Sequence, residues 1–189
     1  MTRRRDAAAT RDAILHSALV AFTRHGYDGV GVREIAGAAG VTAMLVNRYF
    51  GSKEQLFAEV VEAAFAERTL IADDAGRMSR FAAAALVAAE PRSVDGFLLM
   101  LRSVANPKAT EILRAAIDVH FQRPLEALLP GAERQERAAL LLSVLAGVQL
   151  MQQVMGSPAL TTADPAALER RLRTLFDVLV HPPTGSEHP

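Results

Sequence analysis

Residues 32–51 read VREIAGAAGVTAMLVNRYFG and decide the fold of the amino-terminal part of this chain. The spacing predicts a helix, a tight turn and a second short helix. Ala36 falls where the two helices cross, so that only a small side chain lets them approach. Gly40 falls at the turn, where a positive φ favours glycine, and Thr42 follows it, where a hydroxyl can cap the second helix. The stretch therefore predicts a helix-turn-helix unit.

The same spacing assigns the residues of this unit to two sides. The inward side carries Ile35, Ala39, Val41, Val46 and Tyr49. The outward side of the second helix carries Thr42, Ala43, Met44, Asn47 and Arg48. This outward face is small and partly polar, which is the size and character that a DNA major groove admits.

The composition of the 189 residues narrows the class of protein. Half of the residues are apolar and none is cysteine, which excludes disulfides, thiol catalysis and cysteine-ligated metal sites. The charged amino-terminal end has no apolar run, so we expect no secretory signal and a cytoplasmic protein. The longest apolar stretch, residues 138–151, is shorter than the roughly 20 residues of a membrane span. We therefore predict a buried helix there and no membrane partner.

The charge of the chain is unevenly distributed, although the formal net charge is zero. Residues 1–53 carry eight basic and four acidic side chains, a net charge of +4, which leaves −4 on the remainder. This division favours a basic contact face on an acidic body. An imbalance of four charges also lies within ordinary scatter, so the charge alone does not establish DNA binding.

The whole chain is predicted to be helical. Apolar residues at helical spacing predict a first helix from about Thr10 to His25. A fourth helix opens at Ser52, which forms a capping-box pattern with Gln55. Further helices follow almost without interruption, with a kink expected at Pro124. No alternating strand pattern occurs, so the predicted fold class is all-α.

The stretch TRDAILHSALVAFTRHGYDGVGVREIAGAAGVTAMLVNRYFGSKEQLFAEVV, residues 10–61, resembles the amino-terminal domain of TetR-family transcriptional regulators. The resemblance rests on the following residues: the apolar stripe ending in Phe22, Gly26-Tyr27, Ile35-Ala36, Ala39-Gly40-Val41, Phe50, and Ser52-Lys53 followed by Leu56. It implies a three-helix DNA-binding head on a larger helical bundle that binds ligand and dimerises. The implied domains are 1–52 for the head and 53–181 for the bundle, with a disordered tail over 182–189.

Family resemblance also implies how the head meets DNA. Arg33, Thr42, Arg48 and Lys53 are expected to contact phosphates, while Ala43, Met44 and Asn47 are expected to face the bases. Many family members have an aromatic residue at Asn47 and a glycine at Met44. Asn47 is suited either to adenine or to a phosphate, and Met44 to a thymine methyl group. Tyr49 either packs inward or offers its hydroxyl to a phosphate.

Two further features of the head bear on operator binding. Arg3, Arg4 and Arg5 form either an arm along the DNA or a solvated tail. One head reads only a few base pairs, so useful specificity requires two heads about 34 Å apart and a near-palindromic operator.

Two apolar helices near the carboxyl end are the predicted homodimer interface. The predicted interface residues recur every three or four positions, so they share one face of each helix. Such apolar faces also pack against other helices within one subunit. The predicted interface residues are Leu141, Val144, Leu145, Val148, Leu168, Leu172, Leu175, Phe176 and Leu179.

The middle helices are the predicted site of a small, apolar effector. Methionine and phenylalanine suit an adaptable cavity, although each such residue is also an ordinary core residue. The candidates are Phe81, Leu86, Phe97, Met100, Leu101, Phe121, Met151 and Met155, with His120 either a polar anchor or a surface residue.

The sequence carries no pattern typical of an enzyme. The five histidines are scattered, and neither a metal-ligand spacing, a phosphate-binding glycine loop nor a nucleophile elbow occurs. We therefore predict no catalytic residues, no metal and no cofactor. The predicted function is a DNA-binding transcriptional regulator, a repressor that a small molecule releases. The alternative is a helical ligand-binding or protein-docking module that does not bind DNA.

Overall fold

The computed structural model describes residues 2–66, 74–88 and 91–181, and this part of the chain is helical and contains no strand. The predicted all-α fold class is confirmed. The helices are α1 (Thr2–His25), α2 (Val32–Ala38), α3 (Ala43–Phe50), α4 (Lys53–Ala66), α5 (Ala75–Ala88), α6 (Pro91–Ser103), α7 (Pro107–Ile117), α8 (Arg123–Leu128), α9 (Arg134–Gln149), α10 (Pro158–Thr161) and α11 (Pro165–Val180).

Packing divides the chain into two compact units. The first unit comprises Met1–Arg68 and Asp95–Ala116, and the second comprises Thr69–Val94 and Ile117–Pro189. The first unit thus joins the helix-turn-helix to α4 and to the segment around the α6–α7 turn. The domain division at residue 52 stays a prediction, and the predicted disordered tail, 182–189, lies outside the described residues.

The core of the first unit forms around the apolar stripe of α1. Ile14, Ala18 and Phe22 recur at four-residue spacing, and all three are fully buried. The ring of Phe57, from α4, meets Phe22 edge-on with centroids 5.1 Å apart and Tyr27 edge-on at 5.0 Å. Such aromatic pairs stabilise a core beyond the area that they bury.

The first helix is longer than predicted, because it begins at Thr2 and not near Thr10. Arginine and alanine dominate residues 3–9, and both are strong helix formers. The side chains of Arg3, Arg4 and Arg5 lie outside the described part of the structure, so the choice between arm and tail stays open.

The second unit has its core between α5, α9 and α11. Buried residues recur on each helix at the three- and four-residue spacing that places them on one face. They are Met78, Ala82, Ala83 and Leu86 on α5, Ala138 and Leu141 on α9, and Leu172, Phe176 and Val180 on α11, joined by Leu125 and Leu129.

A buried arginine fastens the beginning of α9 to the end of α11. Arg137 is 5% exposed, and its guanidinium donates to the carbonyl oxygens of Leu179 and Val180, both at 3.2 Å. It also donates to the carbonyl oxygens of Ala132 and Pro130 in the preceding loop. The carbonyls at a helix carboxyl end carry partial negative charge, so a buried cation is stabilised there without a carboxylate.

Two π-helical turns interrupt the helices of the second unit, over Asp118–Gln122 and Leu150–Val154. In the first, the N–H of Arg123 donates to the carbonyl oxygen of Asp118, five residues earlier. Pro124 follows and has no N–H to donate, so a regular helical ladder cannot continue through it. The predicted kink is therefore a π-helical turn just ahead of the proline.

Candidate nucleic-acid interface

The turn between α2 and α3 has the geometry that the sequence predicted. Gly40 adopts a φ of 69°, and the Val41 N–H donates to the carbonyl oxygen of Ala36 at 2.9 Å. Thr42 Oγ1 accepts from the Leu45 N–H at 3.3 Å and caps α3. Ala36 is 2% exposed. These contacts fix α3 against α2, so the opposite face of α3 has a defined orientation.

That opposite face of α3 is open to solvent. Met44 is 80% exposed, Asn47 and Arg48 are exposed, and Ala43 is half-buried. On the inner side, Val46 and Phe50 are 1% and 4% exposed and belong to the core. The outward face therefore offers an amide, a guanidinium and a thioether. The Asn47 amide suits adenine or a phosphate, the Arg48 guanidinium suits a phosphate, and the Met44 thioether suits a thymine methyl group.

The remaining predicted phosphate contacts differ in their exposure. Thr42 and Arg33 are exposed, and Tyr49 is half-buried with its ring 6.4 Å from that of Phe50. The Tyr49 position leaves both of its predicted roles open. Lys53 is half-buried at the first residue of α4, where the helix dipole adds to its positive charge.

Lys53 is held in place by the aromatic ring of Tyr27, a contact that the local spacing of the sequence did not predict. Its Nζ lies 4.5 Å from the centroid of the Tyr27 ring, a cation–π contact. Burial, and then the charge and hydrogen bond of Glu54, raise the pKa of Tyr27 to about 12. Tyr27 is therefore a neutral support for Lys53 across the physiological pH range.

Glu54 is a fixed negative charge next to Lys53. Its own backbone N–H, together with hydrogen bonds from Lys108 and Ser52, lowers the pKa of Glu54 to about 2. Lys108 Nζ lies 3.2 Å from Glu54 Oε1, so the start of α7 is paired with the start of α4.

The α6–α7 connector, residues 102–108, also makes polar contacts with the end of α1. The guanidinium of Arg102 donates to the carbonyl oxygens of Thr23 at 2.5 Å and Arg24 at 3.1 Å. The buried hydroxyl of Ser103 accepts from the Tyr27 N–H at 3.1 Å. The connector therefore satisfies backbone groups that α1 leaves free where it ends.

Asn106 adds a further contact between the connector and the α1–α2 turn, and we call this set of polar contacts the connector seam. Its Nδ2 donates to Asp28 Oδ1 at 2.8 Å, and its Oδ1 accepts from the N–H groups of Lys108 and Ala109. Local sequence patterns could not have revealed this seam, because the partners lie 54 to 79 residues apart.

The structure divides the predicted effector-site residues between the two units. Phe97, Met100 and Leu101 belong to the first unit, whereas Phe81, Leu86, His120, Phe121, Met151 and Met155 belong to the second. Met151 and Met155 are 42% and 66% exposed, so they belong to the surface and not to the core of the second unit. A single cavity formed by all nine residues stays a prediction.

Three predicted dimer-interface residues are wrong. Leu141, Leu172 and Phe176 are at most 6% exposed and lie in the core of the second unit, where no partner subunit can reach them. The other predicted residues of this set are partly buried, apart from Leu175, which is 47% exposed. The partly buried ones are Val144, Leu145, Val148, Leu168 and Leu179.

The exposed apolar residues of α9, the following π-helical turn and α11 are a set that the predicted interface shares only at Leu175. We call it the outer apolar surface, and its members are Leu140, Met151, Val154, Met155, Leu175 and Val178, which are 42–66% exposed. Both helices are apolar on more than one side, so periodicity alone does not decide which side is buried.

The helix that carries most of the outer apolar surface is long and apolar. In the part of the chain that the structure describes, residues Arg134–Val154 have the length and composition to cross a membrane, with a mean hydropathy of 1.3. Of the 18-residue window of this stretch that meets these criteria, 22% is buried, so the prediction of a buried helix holds for only part of it.

Comparisons with known proteins agree with this geometry. A family model described as bacterial regulatory proteins, tetR family, matches residues 14–60, and one described as tetracyclin repressor-like, C-terminal domain, matches residues 73–180. The chain is therefore a helix-turn-helix transcriptional regulator. It belongs to the TetR family, as the sequence predicted.

Individual relatives are regulators as well. The chain is 31% identical to the transcriptional regulator BetI of Rhizobium meliloti, over 82% of this chain and 68% of that protein. It is 29% identical to the transcriptional repressor SCO4008 of Streptomyces coelicolor, over 71% of this chain but only 62% of that repressor's length. The crystal structure of NalD, a repressor of Pseudomonas aeruginosa, superposes with a TM-score of 0.65 at 21% identity, covering 95% of this chain and all of NalD. The family is one of regulators and not of enzymes.

Proposed function

We propose that this chain is a homodimeric repressor that binds a near-palindromic operator in the bacterial cytoplasm and is released by a small molecule. The observation that carries the proposal is the solvent-exposed face of α3, which is capped by Thr42 and flanked by Lys53. The head corresponds to residues 1–52 and the effector-binding and dimerising bundle to residues 53–181. The alternative of a module without DNA binding gains no support from the relatives, one of which is named a repressor.

In this proposal, α3 lies in the major groove with Ala43, Met44 and Asn47 toward the bases. Arg33, Thr42, Arg48 and Lys53 neutralise or bond phosphates on both sides of the groove. Phosphate contacts supply most of the affinity and its salt dependence, whereas base contacts supply the sequence preference.

The homodimer in this proposal is formed by α9 and α11 through the outer apolar surface. An exposed apolar surface of this kind on a soluble regulator is explained by a partner that covers it. We base this interface on Leu175 and Val178 of α11, which are 47% and 60% exposed. In the proposed dimer, Leu140 faces them either from α9 of the partner subunit or from α9 of the same subunit.

Release of the operator requires an effector that prefers one spacing of the two heads. The connector supports such a step, because Lys108, Arg102 and Ser103 bond directly to α4 and to the end of α1. Any displacement of the connector must therefore break these bonds or move the head with it.

The DNA-binding half of the proposal is tested with a fluorescent duplex taken from the region upstream of the gene, titrated at several salt concentrations. We expect tight binding that weakens steeply with salt, and a log–log slope about 0.9 shallower per subunit for Lys53→Ala or Arg48→Ala. Arg170→Ala, on an exposed site of α11, is the matched control and should leave the slope unchanged. Equal slopes for all four proteins would exclude the assigned phosphate contacts.

The dimer is tested by sedimentation of Val178→Glu and its control Ala166→Glu, which places the same charge on an exposed site of α11 outside the outer apolar surface. We expect the wild type and the control to sediment as dimers and Val178→Glu as a monomer. A dimer that survives Val178→Glu and Leu175→Glu alike would exclude this interface.

A further inference from the structure

Both lysines of the chain are neighbours of one carboxylate, that of Glu54. Lys53 precedes Glu54 in the first turn of α4, and Lys108 Nζ, from the start of α7, lies 3.2 Å from Glu54 Oε1. Tyr27, which carries Lys53 on its ring, is the fourth member of the group. All four residues belong to the first unit, so one compact body holds them together.

The contact with Tyr27 holds Lys53 without neutralising it. An aromatic ring attracts a cation through its quadrupole and carries no net charge, so the Lys53 ammonium keeps its full positive charge. Among the described residues, no carboxylate forms an ion pair with Lys53. Tyr27 is 4% exposed and packs against the rings of Phe22 and Phe57, so it is a rigid support. A carboxylate in its place would compete with a DNA phosphate for the ammonium.

Glu54 is the carboxylate that competes in this way if its own partners are removed. Its charge raises the pKa of Tyr27, so Glu54 and Lys53 both approach the same Tyr27 side chain. Hydrogen bonds from its own backbone N–H, from Lys108 and from Ser52 lower the pKa of Glu54 to about 2. The carboxylate is therefore charged at any pH at which the protein binds DNA.

Lys108 supplies the charge that compensates Glu54. Its side chain is 70% exposed, so the ion pair is open to solvent and contributes little to folding stability. Removing the Lys108 ammonium leaves the charge of Glu54 uncompensated beside Lys53. The pair thus matters less for the stability of the first unit than for the charge that Lys53 presents.

We propose that Lys108 is a positioning residue for operator binding: it occupies Glu54, so that the Lys53 ammonium stays on the Tyr27 ring with its charge available to a phosphate. The inference rests on the function proposed above, in which Lys53 contacts a DNA phosphate. Lys108 acts through Lys53 and makes no DNA contact of its own. Without Lys108, Glu54 draws Lys53 off the ring and neutralises it.

The position of Lys53 is measured on the free protein, without DNA, by NMR of lysine labelled with carbon-13 at Cε. The two lysines give two signals, and Lys53→Ala identifies one of them. A methylene group above an aromatic ring is shifted upfield, so we expect the Lys53 ε protons upfield of those of Lys108. In Lys108→Met the remaining signal should move toward the position of free lysine, whereas in the conservative variant Lys108→Arg it should stay in place.

Operator binding is measured with the salt titration described above. We expect Lys108→Met to make the log–log slope shallower by up to about 0.9 per subunit, the change expected for Lys53→Ala. The affinity should fall about two- to fivefold per subunit, which corresponds to one exposed ion pair. Arg114→Met is the matched control, because it removes the same charge from an exposed site of the same helix, and it should leave the slope unchanged.

A double variant separates this role from a direct phosphate contact of Lys108. Lys108→Met combined with Glu54→Gln removes the competing carboxylate, so it should restore both the wild-type slope and the upfield Lys53 signal. A slope that stays shallow in the double variant would assign Lys108 itself to a phosphate and overturn the proposal.

Two other results would also overturn the positioning role. One is a Lys53 signal at the position of free lysine in the wild type, or one that Lys108→Met leaves unmoved. The other is a slope for Lys108→Met equal to that of the wild type or of Arg114→Met. A wild-type protein that binds no duplex overturns the proposed function instead, and the Lys53 signal then still decides whether Lys108 keeps Lys53 on the Tyr27 ring.

Discussion

Replacing Gly26 by alanine should separate the connector from the head, because the two backbones meet at this glycine. Gly26 follows α1 with a φ of 72°. A Cβ atom added there would lie 2.2 Å from the carbonyl oxygen of Arg102 and 2.9 Å from its carbonyl carbon. Both distances are shorter than real Cβ contacts, and the obstacle is backbone, which cannot rotate away as a side-chain end can.

The expected loss in the free energy of unfolding has two parts. A left-handed conformation costs an L-residue about 1–2 kcal/mol. Moving the Arg102 backbone away also strains the hydrogen bonds from Arg102 to Thr23 and from Tyr27 to Ser103, each worth about 0.5–1.5 kcal/mol. We therefore expect Gly26→Ala to lower the free energy of unfolding by about 2–5 kcal/mol.

Gly40→Ala is the matched control, because Gly40 has a φ of 69° but nothing within 4 Å of its Cβ position. It should cost only the conformational part, about 1–2 kcal/mol. The assay is urea unfolding followed by circular dichroism, at one protein concentration because the stability of the proposed dimer depends on it. Equal losses in the two variants would refute the close approach of the connector to the α1–α2 turn.

Three further predictions follow from single contacts. Asn47→Ala should relax the preference at one operator base pair by about 1–3 kcal/mol and leave the salt slope unchanged. Competition with duplexes substituted at single base pairs measures this preference. An equal loss of affinity on every duplex would assign Asn47 to a phosphate instead. Arg137→Met should lower the free energy of unfolding by about 2–4 kcal/mol, because it leaves buried carbonyl oxygens of the α11 end without donors; an unchanged urea midpoint would contradict this. Glu54 has its pKa lowered to about 2, so its contribution to stability is complete above its ordinary pKa of 4.5 and is lost as the pH falls toward 2. In Glu54→Gln, the free energy of unfolding should therefore fall less steeply than in the wild type as the pH is lowered below 4.5. An unchanged pH dependence would count against the pairing with Lys108.

The helix-turn-helix could be predicted from the sequence because its determinants are local. Gly40 needs a positive φ, Thr42 caps the helix that follows it, and Ala36 must be small, and each requirement involves residues only a few positions apart. Side-chain spacing then places Met44 and Asn47 opposite Val46 and settles which side of α3 faces solvent.

The bundle was less predictable because its determinants are distant in sequence. The spacing of Leu141, Leu172 and Phe176 is equally compatible with a subunit core and a subunit interface, and only the packing of α5 against α11 decides between them. Arg137 looks like a surface residue in the sequence, yet it is buried by carbonyls more than 40 residues away.

The most direct test of the account is chemical protection of the bases when the proposed dimer binds the proposed operator. Dimethyl sulfate methylates N7 of guanine, which lies in the major groove, and N3 of adenine, which lies in the minor groove. The outward face of α3 in two copies of the chain predicts two blocks of protected guanine N7, centred about 10 base pairs apart. A single block, or protection confined to adenine N3, would contradict the placement of Met44 and Asn47 in the major groove.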